Sequence, residues 1–257
     1  MIGQPSKEAS ELGDFLLRAG TALIKAGAGS NRVVTNVTRL ATAFGYEAEV
    51  NPGTRFIAIS LFSDQENIFT GTRSMPALPG VNFGVISAVS QLSWDITEKN
   101  IDFQSARRAL DSAIQVPEYS RAVILLMVGL AGAGFCFTFG GGAVEMGIAF
   151  IATIAGLFLR QELNRKKYNT YLVTYVSAVF ASFVIGVFWK AGIASKLDHA
   201  FATSILFLIP GVPLINSFID LMDGYIMNGI DRGINSLMHA FAIAAGLATV
   251  LYIFNVQ

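Results

Sequence analysis

The sequence of 257 residues has a single cysteine and two histidines, and only 14 % of its residues are charged. One cysteine excludes a disulfide framework and any zinc or iron–sulfur site that is built on several cysteines. Soluble domains average about 25 % charged residues, so the low content argues against a wholly soluble protein. Because the net charge is zero, a basic nucleic-acid-binding protein and a disordered chain are also excluded.

What the sequence does contain is apolar residues, which make up 53 % of the chain and are unevenly distributed. Residues 1–121 hold 11 of the 18 basic and 12 of the 18 acidic side chains, and long apolar runs dominate from Ala122 onward. A membrane-spanning helix needs about 20 mostly apolar residues. We therefore predict an α-helical multi-pass membrane protein, with an N-terminal cytoplasmic α+β domain at 1–117 and a membrane domain at 118–257. The five predicted transmembrane helices are 122–139, 143–159, 169–189, 200–222 and 234–254.

The α+β prediction for the N-terminal domain rests on a change of hydrophobic period. Apolar residues recur at helical spacing in four segments and alternate with polar residues in three others. The helical segments are 11–26, 33–44, 85–96 and 103–114, and the predicted strands are 46–50, 55–62 and 67–73.

A glycine-rich run at 27–32 joins the first two predicted helices. A Walker A phosphate-binding loop would follow a strand and would carry a lysine directly before a serine or threonine. This run does neither, so we interpret it as a helix–helix turn. We expect no nucleotide or other cofactor, no metal site, and no transport driven directly by ATP within this chain.

The orientation in the membrane is predicted from two basic clusters, because lysine and arginine concentrate in cytoplasmic loops. One cluster precedes the first span and the other lies between the second and third spans. With five spans, this places the N-terminus in the cytoplasm and Gln257 outside. The clusters consist of Arg107, Arg108 and Arg121, and of Arg160, Arg165, Lys166 and Lys167.

The fourth predicted span is interrupted by Pro210, Gly211 and Pro213, which remove backbone donors and break a helix. A break of this kind survives in lipid only where protein buries it or where it lines a wet cavity. Discontinuous helices are a recurring device of secondary transporters, in which the second half-helix points its N–H groups at an anionic substrate. Asn216, just beyond the break, is a candidate hydrogen-bond donor. A proline kink with a purely structural role is the alternative.

Four ionisable residues in or near the spans are further candidates for the substrate path or for coupling. Asp220 is the strongest, since an ionisable residue inside a span is costly and usually functional. Asp223 lies nearer the cytoplasmic end, where water can solvate it. Glu145 begins the second span, where it either caps the helix or contacts substrate. His239, in the last span, either relays a proton or simply packs through a hydrogen bond.

Several segments of the chain together resemble the threonine/serine exporter (ThrE) family. The most specific is Ile-Pro-Gly-Val-Pro-Leu-Ile-Asn at 209–216, followed by Asp220 and Gly224. The resemblance extends over nearly the whole chain, but the second membrane block of the single-chain exporters is missing. The other segments that carry it are 15–20, 27–40, 126–130, 135–137, 141–142 and 159–161.

The resemblance implies a subunit of a secondary exporter, not an enzyme, that moves a small carboxylate such as succinate out of the cell. It also implies a smaller, separately encoded membrane subunit as partner, with the pair free to assemble further into oligomers. Export of threonine or serine is an alternative, as is a membrane-anchored sensor or enzyme that acts through the N-terminal domain. A channel is a further alternative, and it would lack a titratable coupling residue. The sequence offers no GxSxG, HExxH or Cys–His arrangement for an enzyme.

Overall fold

The structure, a computed structural model, describes residues 7–75, 80–117, 119–193 and 197–255. Gln257, which we predict to lie outside the cell, is not among these residues. The described chain forms ten α-helices, three strands and one short 3-10 helix at Leu206–Leu208. In order, the elements are α1 (Lys7–Lys25), α2 (Ser30–Ala43), β1 (Glu47–Pro52), β2 (Phe56–Ser63), β3 (Glu66–Ser74), α3 (Phe83–Lys99), α4 (Phe103–Ile114), α5 (Arg121–Thr138), α6 (Ala143–Arg165), α7 (Thr170–Lys190), α8 (Asp198–Ser204), α9 (Gly211–Met222) and α10 (Ile226–Phe254).

The chain divides into two compact units that do not follow a single cut in the sequence. The first unit combines Met1–Glu118 with Val212–Gly233, and the second combines Tyr119–Gly211 with Ile234–Gln257. Most of α9 and the first turns of α10 therefore belong to the same unit as the N-terminal segment. The predicted domains 1–117 and 118–257 are a different division, between a cytoplasmic and a membrane part of the chain, and that division stays a prediction.

In the first unit, a small antiparallel sheet has the order β1-β2-β3, so β2 is the central strand. Alternate residues of β2, Ile57, Ile59 and Leu61, are buried, and α1 packs on the sheet. Two glycines of α1 make the close approach possible. A Cβ on Gly13 would overlap the ring of Phe69, and one on Gly20 would overlap Ile57. Since they lie two turns apart, both glycines are on the face that meets the sheet.

The helices of the second unit pack through small residues. A Cβ on Gly132 of α5 would lie 2.5 Å from Thr153 Oγ1, and one on Gly246 of α10 would lie 2.9 Å from the carbonyl oxygen of Tyr175. Small residues at such contacts let helix backbones approach closely, which is the usual way helices associate in membranes. Large apolar side chains such as Met127 and Phe137 of α5 are exposed, as expected for a surface in contact with lipid.

Four described helices, α5, α6, α7 and α10, are long and apolar enough to cross a membrane. A fifth span exists only if α8, the 3-10 helix and α9 count together as one bent pair. Proline chemistry accounts for the break, because Pro210 stands between the 3-10 helix and α9. Pro213 lies in the first turn of α9, where the missing N–H costs no intrahelical hydrogen bond.

Candidate functional site

Beyond the break, α9 and the start of α10 form a tight helical hairpin within the first unit. Gly224, with a φ of +86°, makes the turn between them. Leu221 packs so closely against Gly229 that a Cβ on Gly229 would lie 2.6 Å from Cγ of Leu221. The Ser217 hydroxyl donates to the carbonyl oxygen of Gly229 at 2.6 Å. The hairpin thus presents polar side chains of both helices to the same part of the unit.

Asp220 is the central side chain of this hairpin and is fully buried. Its Oδ1 accepts a hydrogen bond of 2.9 Å from the backbone N–H of Ser30, the first residue of α2. Gly29, at the N-cap position, has no side chain to do this. The carboxylate of Asp220 therefore caps α2 from a distant part of the chain, where the helix dipole favours a negative charge.

Arg232 of α10 is the ionic partner of Asp220. Its Nε lies 3.3 Å from Oδ2 of Asp220, and its side chain is only 13 % exposed. Its Nη2 also donates to the carbonyl oxygen of Ala28 at 3.0 Å. Each partner has one hydrogen bond outside the pair, at Oδ1 of Asp220 and at Nη2 of Arg232, whereas Oδ2 of Asp220 accepts no hydrogen bond from the described residues. Burying two charges is costly, and removing one partner of such a pair costs still more.

Two asparagines complete the contacts with loop 27–30. The Asn216 amide donates to the carbonyl oxygen of Gly27 at 2.9 Å. The Asn228 amide donates to the Ser30 hydroxyl at 2.9 Å and to the carbonyl oxygen of Pro52 at 2.6 Å. Gly27, Ala28 and Ser30 are therefore each hydrogen-bonded to a polar side chain of the hairpin. We call these side chains the Asp220 cluster: Asn216, Asp220, Asn228 and Arg232.

A cavity of about 710 Å³ lies beside this cluster in the first unit. Its walls come from loop 27–29, from one face each of α2 and α3, and from α9. Arg32 and Arg39 contribute positive charge, and Asp223 contributes the acidic side chain. We call it the α2 cavity.

The structure brings together some of the predicted site residues but not others. Asn216 and Asp220 meet at loop 27–30, and Asn216 also lines the α2 cavity. Asp223 is exposed and lies on the cavity instead of in the cluster. Burial raises the pKa of the neighbouring Tyr225 hydroxyl, and the carboxylates of Asp223 and Asp220 raise it further.

Glu145 and His239 belong to the second unit, and each has partners of its own there. Glu145 Oε2 accepts from the Gly142 backbone N–H at 3.0 Å, which caps α6, and Oε1 lies 3.4 Å from Nδ1 of His199. His239 Nδ1 lies 2.9 Å from the Thr174 hydroxyl. For each residue, one of the two predicted alternatives was a local bond of this kind, and the functional alternative stays a prediction.

Arg232 and Asn228 were not predicted as site residues, although one signal pointed to the first of them. Arg232 is the only basic residue after Lys196 in the sequence, and it follows Asp220 across the Gly224 turn. A lone cation and a lone buried anion in one apolar stretch are natural partners. Arg32 and Arg39 gave no such signal, since arginines on the polar face of an amphipathic helix are ordinary.

Comparison with known proteins identifies relatives along nearly the entire chain. The family model described as "Putative threonine/serine exporter" (ThrE) matches residues 14–254. The chain is 27 % identical over 237 residues to "Probable succinate transporter subunit YjjP" of Klebsiella aerogenes, which covers 91 % of each protein. It is also 27 % identical over 243 residues to the protein of the same name from Escherichia coli K12, covering 94 % of each. No solved structure matches. The resemblance stated from the sequence is confirmed.

Proposed function

Because the chain belongs to the threonine/serine exporter family, we propose that it is a subunit of a secondary exporter that moves a small dicarboxylate, such as succinate, out of the cell. Both curated relatives carry succinate transport in their names, and they align over more than nine tenths of this chain. The family and the four or five apolar helices make it a membrane protein. We further propose that this membrane is the bacterial inner membrane, with the N-terminus in the cytoplasm and the C-terminus outside.

The observation that carries the proposal is the buried Asp220–Arg232 pair in the α9–α10 hairpin that follows the break in the apolar chain. Ionisable groups in such segments are expensive and mark substrate or ion pathways in transporters. Irregular backbone at a break is likewise typical of transporter binding sites. We propose that Pro210, Gly211 and Pro213 open the backbone there, and that Asn216, Asp220 and Asp223 border the path.

Glu145 and His239, both in the second unit, are alternative candidates for moving a proton, and we assign neither of them to the path at Asp220. Both are ionisable side chains in apolar helices, which supports such a role. Both also have local partners: Gly142 and His199 contact the carboxylate oxygens of Glu145, and Thr174 contacts Nδ1 of His239.

A separate membrane subunit is the second part of the proposal. The relatives are named as subunits, which supports a partner. We propose a small membrane protein of the YjjB type, in a pair that is free to form larger oligomers in the lipid. The described family also supports one alternative substrate class, because its description names threonine and serine.

Efflux from proteoliposomes tests both parts of the proposal. Vesicles that contain the chain together with its partner are loaded with labelled succinate or labelled threonine, and vesicles with either subunit alone serve as controls. We expect succinate to leave only when both subunits are present, and Asp220→Asn to stop it. Threonine efflux without succinate efflux would refute the dicarboxylate proposal in favour of amino-acid export. Full succinate efflux from the chain alone would refute the two-subunit proposal.

A further inference from the structure

The α2 cavity has the chemistry of an anion-binding site. Arg32 and Arg39 lie seven residues apart, so both side chains project from the same face of α2, about 10 Å apart along its axis. Within the described part of the chain, neither guanidinium has a carboxylate at ion-pair distance. Two arginines therefore border the cavity with their charge available to a ligand.

Arg39 is held in position by the wall of the cavity. Its guanidinium lies over the ring of Trp94, 3.7 Å from the centroid, and its Nη1 donates to the Ser93 hydroxyl at 2.8 Å. That hydroxyl in turn donates to Oδ1 of the buried Asn36 at 2.8 Å. The bond to Ser93 uses one of the five N–H donors of the guanidinium. A pre-oriented fork with unused donors suits a carboxylate, which accepts two parallel hydrogen bonds.

Arg32 adds a second cation at the other end of the same face. It lies in the first turn of α2, whose own residues there include no acidic one, and the only carboxylate described at this terminus is Asp220, which accepts from the Ser30 N–H. The helix dipole disfavours a cation there and favours an anion. A negatively charged group bound to Arg32 would therefore also be stabilised by the helix terminus.

We propose that the α2 cavity binds a short-chain dicarboxylate, with one carboxylate on Arg39 and the other on Arg32. The proposal rests on the proposed function and gives the exporter a substrate site in its first unit, beside the Asp220 cluster. A monocarboxylate reaches only one of the two cations, so the second arginine selects for dicarboxylates. Loop 27–29 forms part of the wall, which links occupancy of the cavity to the loop that the Asp220 cluster binds.

Removing the charge of Asp223 should change ligand affinity in opposite directions for the two substrate classes. Its carboxylate lines the cavity, where it repels a dicarboxylate but would attract the ammonium group of threonine or serine. If a dicarboxylate is the ligand, Asp223→Asn tightens binding several-fold. If an amino acid is the ligand, the same substitution weakens binding.

Fluorescence titration tests the site, because Trp94 lies in its wall and the chain has only one other tryptophan, Trp189. The full chain with Trp189→Phe is studied in lipid nanodiscs, with and without the partner subunit. Succinate, butyrate, threonine and phosphate are the probes, and calorimetry gives each Kd independently of the reporter. We expect a saturable change of Trp94 emission with succinate and none with butyrate over the same range.

Charge-removing variants then identify the cations. Arg32→Gln and Arg39→Gln should each raise the Kd for succinate about tenfold or more, the loss expected for one charge-assisted hydrogen-bond partner. Arg55→Gln is the matched control, because Arg55 is exposed and is not part of the cavity wall. Arg32 is exposed, so its variant should fold even if Arg39→Gln does not.

The outcomes separate this site from the proposed function. Succinate efflux that is unchanged in Arg32→Gln, with no binding detected at Trp94, would overturn the site and leave the exporter standing. Tight succinate binding without efflux in the presence of the partner would instead refute the exporter. Phosphate that binds as tightly as succinate would show a general anion site and would overturn the dicarboxylate proposal.

Discussion

The two units hold their apolar helices by opposite means. In the first unit, the hairpin of α9 and α10 contacts loop 27–30 through charged and amide side chains, with Asp220 at the centre. In the second unit, α5, α6, α7 and the remainder of α10 meet through glycine and alanine at close backbone approach. The single helix α10 takes part in both arrangements, since its residues before and after 233 belong to different units.

The difference shows where each kind of contact is useful. Close packing of small residues is non-polar and works without water, so it suits helices that stay together in lipid. A cluster of buried polar groups is costly unless every partner is in place, and it is therefore sensitive to a change in any of them. We infer that a ligand or a coupling ion can change the polar contacts of the first unit. The second unit is then the more constant scaffold.

The largest expected effect comes from breaking the Asp220–Arg232 pair. Asp220→Ala leaves Arg232 buried without its counter-ion and removes the cap of α2, so the unfolding free energy should fall by about 3–5 kcal/mol. Thermal unfolding in detergent measures the loss. The double variant Asp220→Leu/Arg232→Met removes both charges and should recover much of it. Asp231→Asn removes an exposed carboxylate that also interacts with Arg232, and as the comparison variant it should cost much less than Asp220→Ala. A melting temperature unchanged in Asp220→Ala would contradict the buried pair.

Overpacking the second unit should have the next largest effect. A Cβ on Gly246 would lie 2.8 Å from Ala178 Cβ and 2.9 Å from the Tyr175 carbonyl oxygen, and backbone atoms cannot swing away. Gly246→Ala should therefore cost about 1–3 kcal/mol. Gly134→Ala is the matched control, since nothing lies within 4 Å of its Cβ position and alanine is the better helix former. Equal melting temperatures for the two variants would contradict close packing at Gly246.

Asn228 tests the amide contacts of the cluster separately from its charges. Asn228→Ala removes the hydrogen bonds to Ser30 and to the carbonyl oxygen of Pro52, and we expect a loss of about 1–2 kcal/mol. The effect should be smaller than that of Asp220→Ala, because no charge is left buried. Hydrogen exchange at the first turn of α2 gives a local measurement. If the exchange rates there equal those of the unsubstituted protein, the Asn228 amide does not stabilise loop 27–30.

The sequence predicted local structure well and tertiary partners poorly. Strands predicted at 46–50, 55–62 and 67–73 correspond to β1, β2 and β3 within a few residues, because alternation of apolar residues is a local signal. The break at Pro210 follows equally from local chemistry. Nothing local indicates that Asp220 caps a helix 190 residues away, since Gly29 and Ser30 read as an ordinary turn. Contacts of that range depend on the packing of the whole unit.

The α2 cavity was missed for the same reason. Arg32 and Arg39 share a helix face, but a cavity exists only where α3 and α9 stand opposite that face. The sequence could have suggested the face, through the spacing of its polar residues, but not the opposing walls. Of the predicted site residues, Asn216 and Asp223 are the ones that line this cavity.

The smallest expected effect belongs to Glu145, the carboxylate in the first turn of α6. Glu145→Gln keeps an oxygen to accept from the Gly142 N–H but loses the charge beside His199, whose side chain is 40 % exposed. Even a charged contact that is partly open to solvent contributes only about 0.2–1 kcal/mol, so the melting temperature should fall only slightly. Glu145→Ala also removes the cap and should cost about 1 kcal/mol more. Because these local partners occupy the carboxylate, succinate efflux through Glu145→Gln should equal that of the parent. Efflux lost at normal stability would instead make Glu145 a coupling residue, and the second unit would then no longer be only a scaffold.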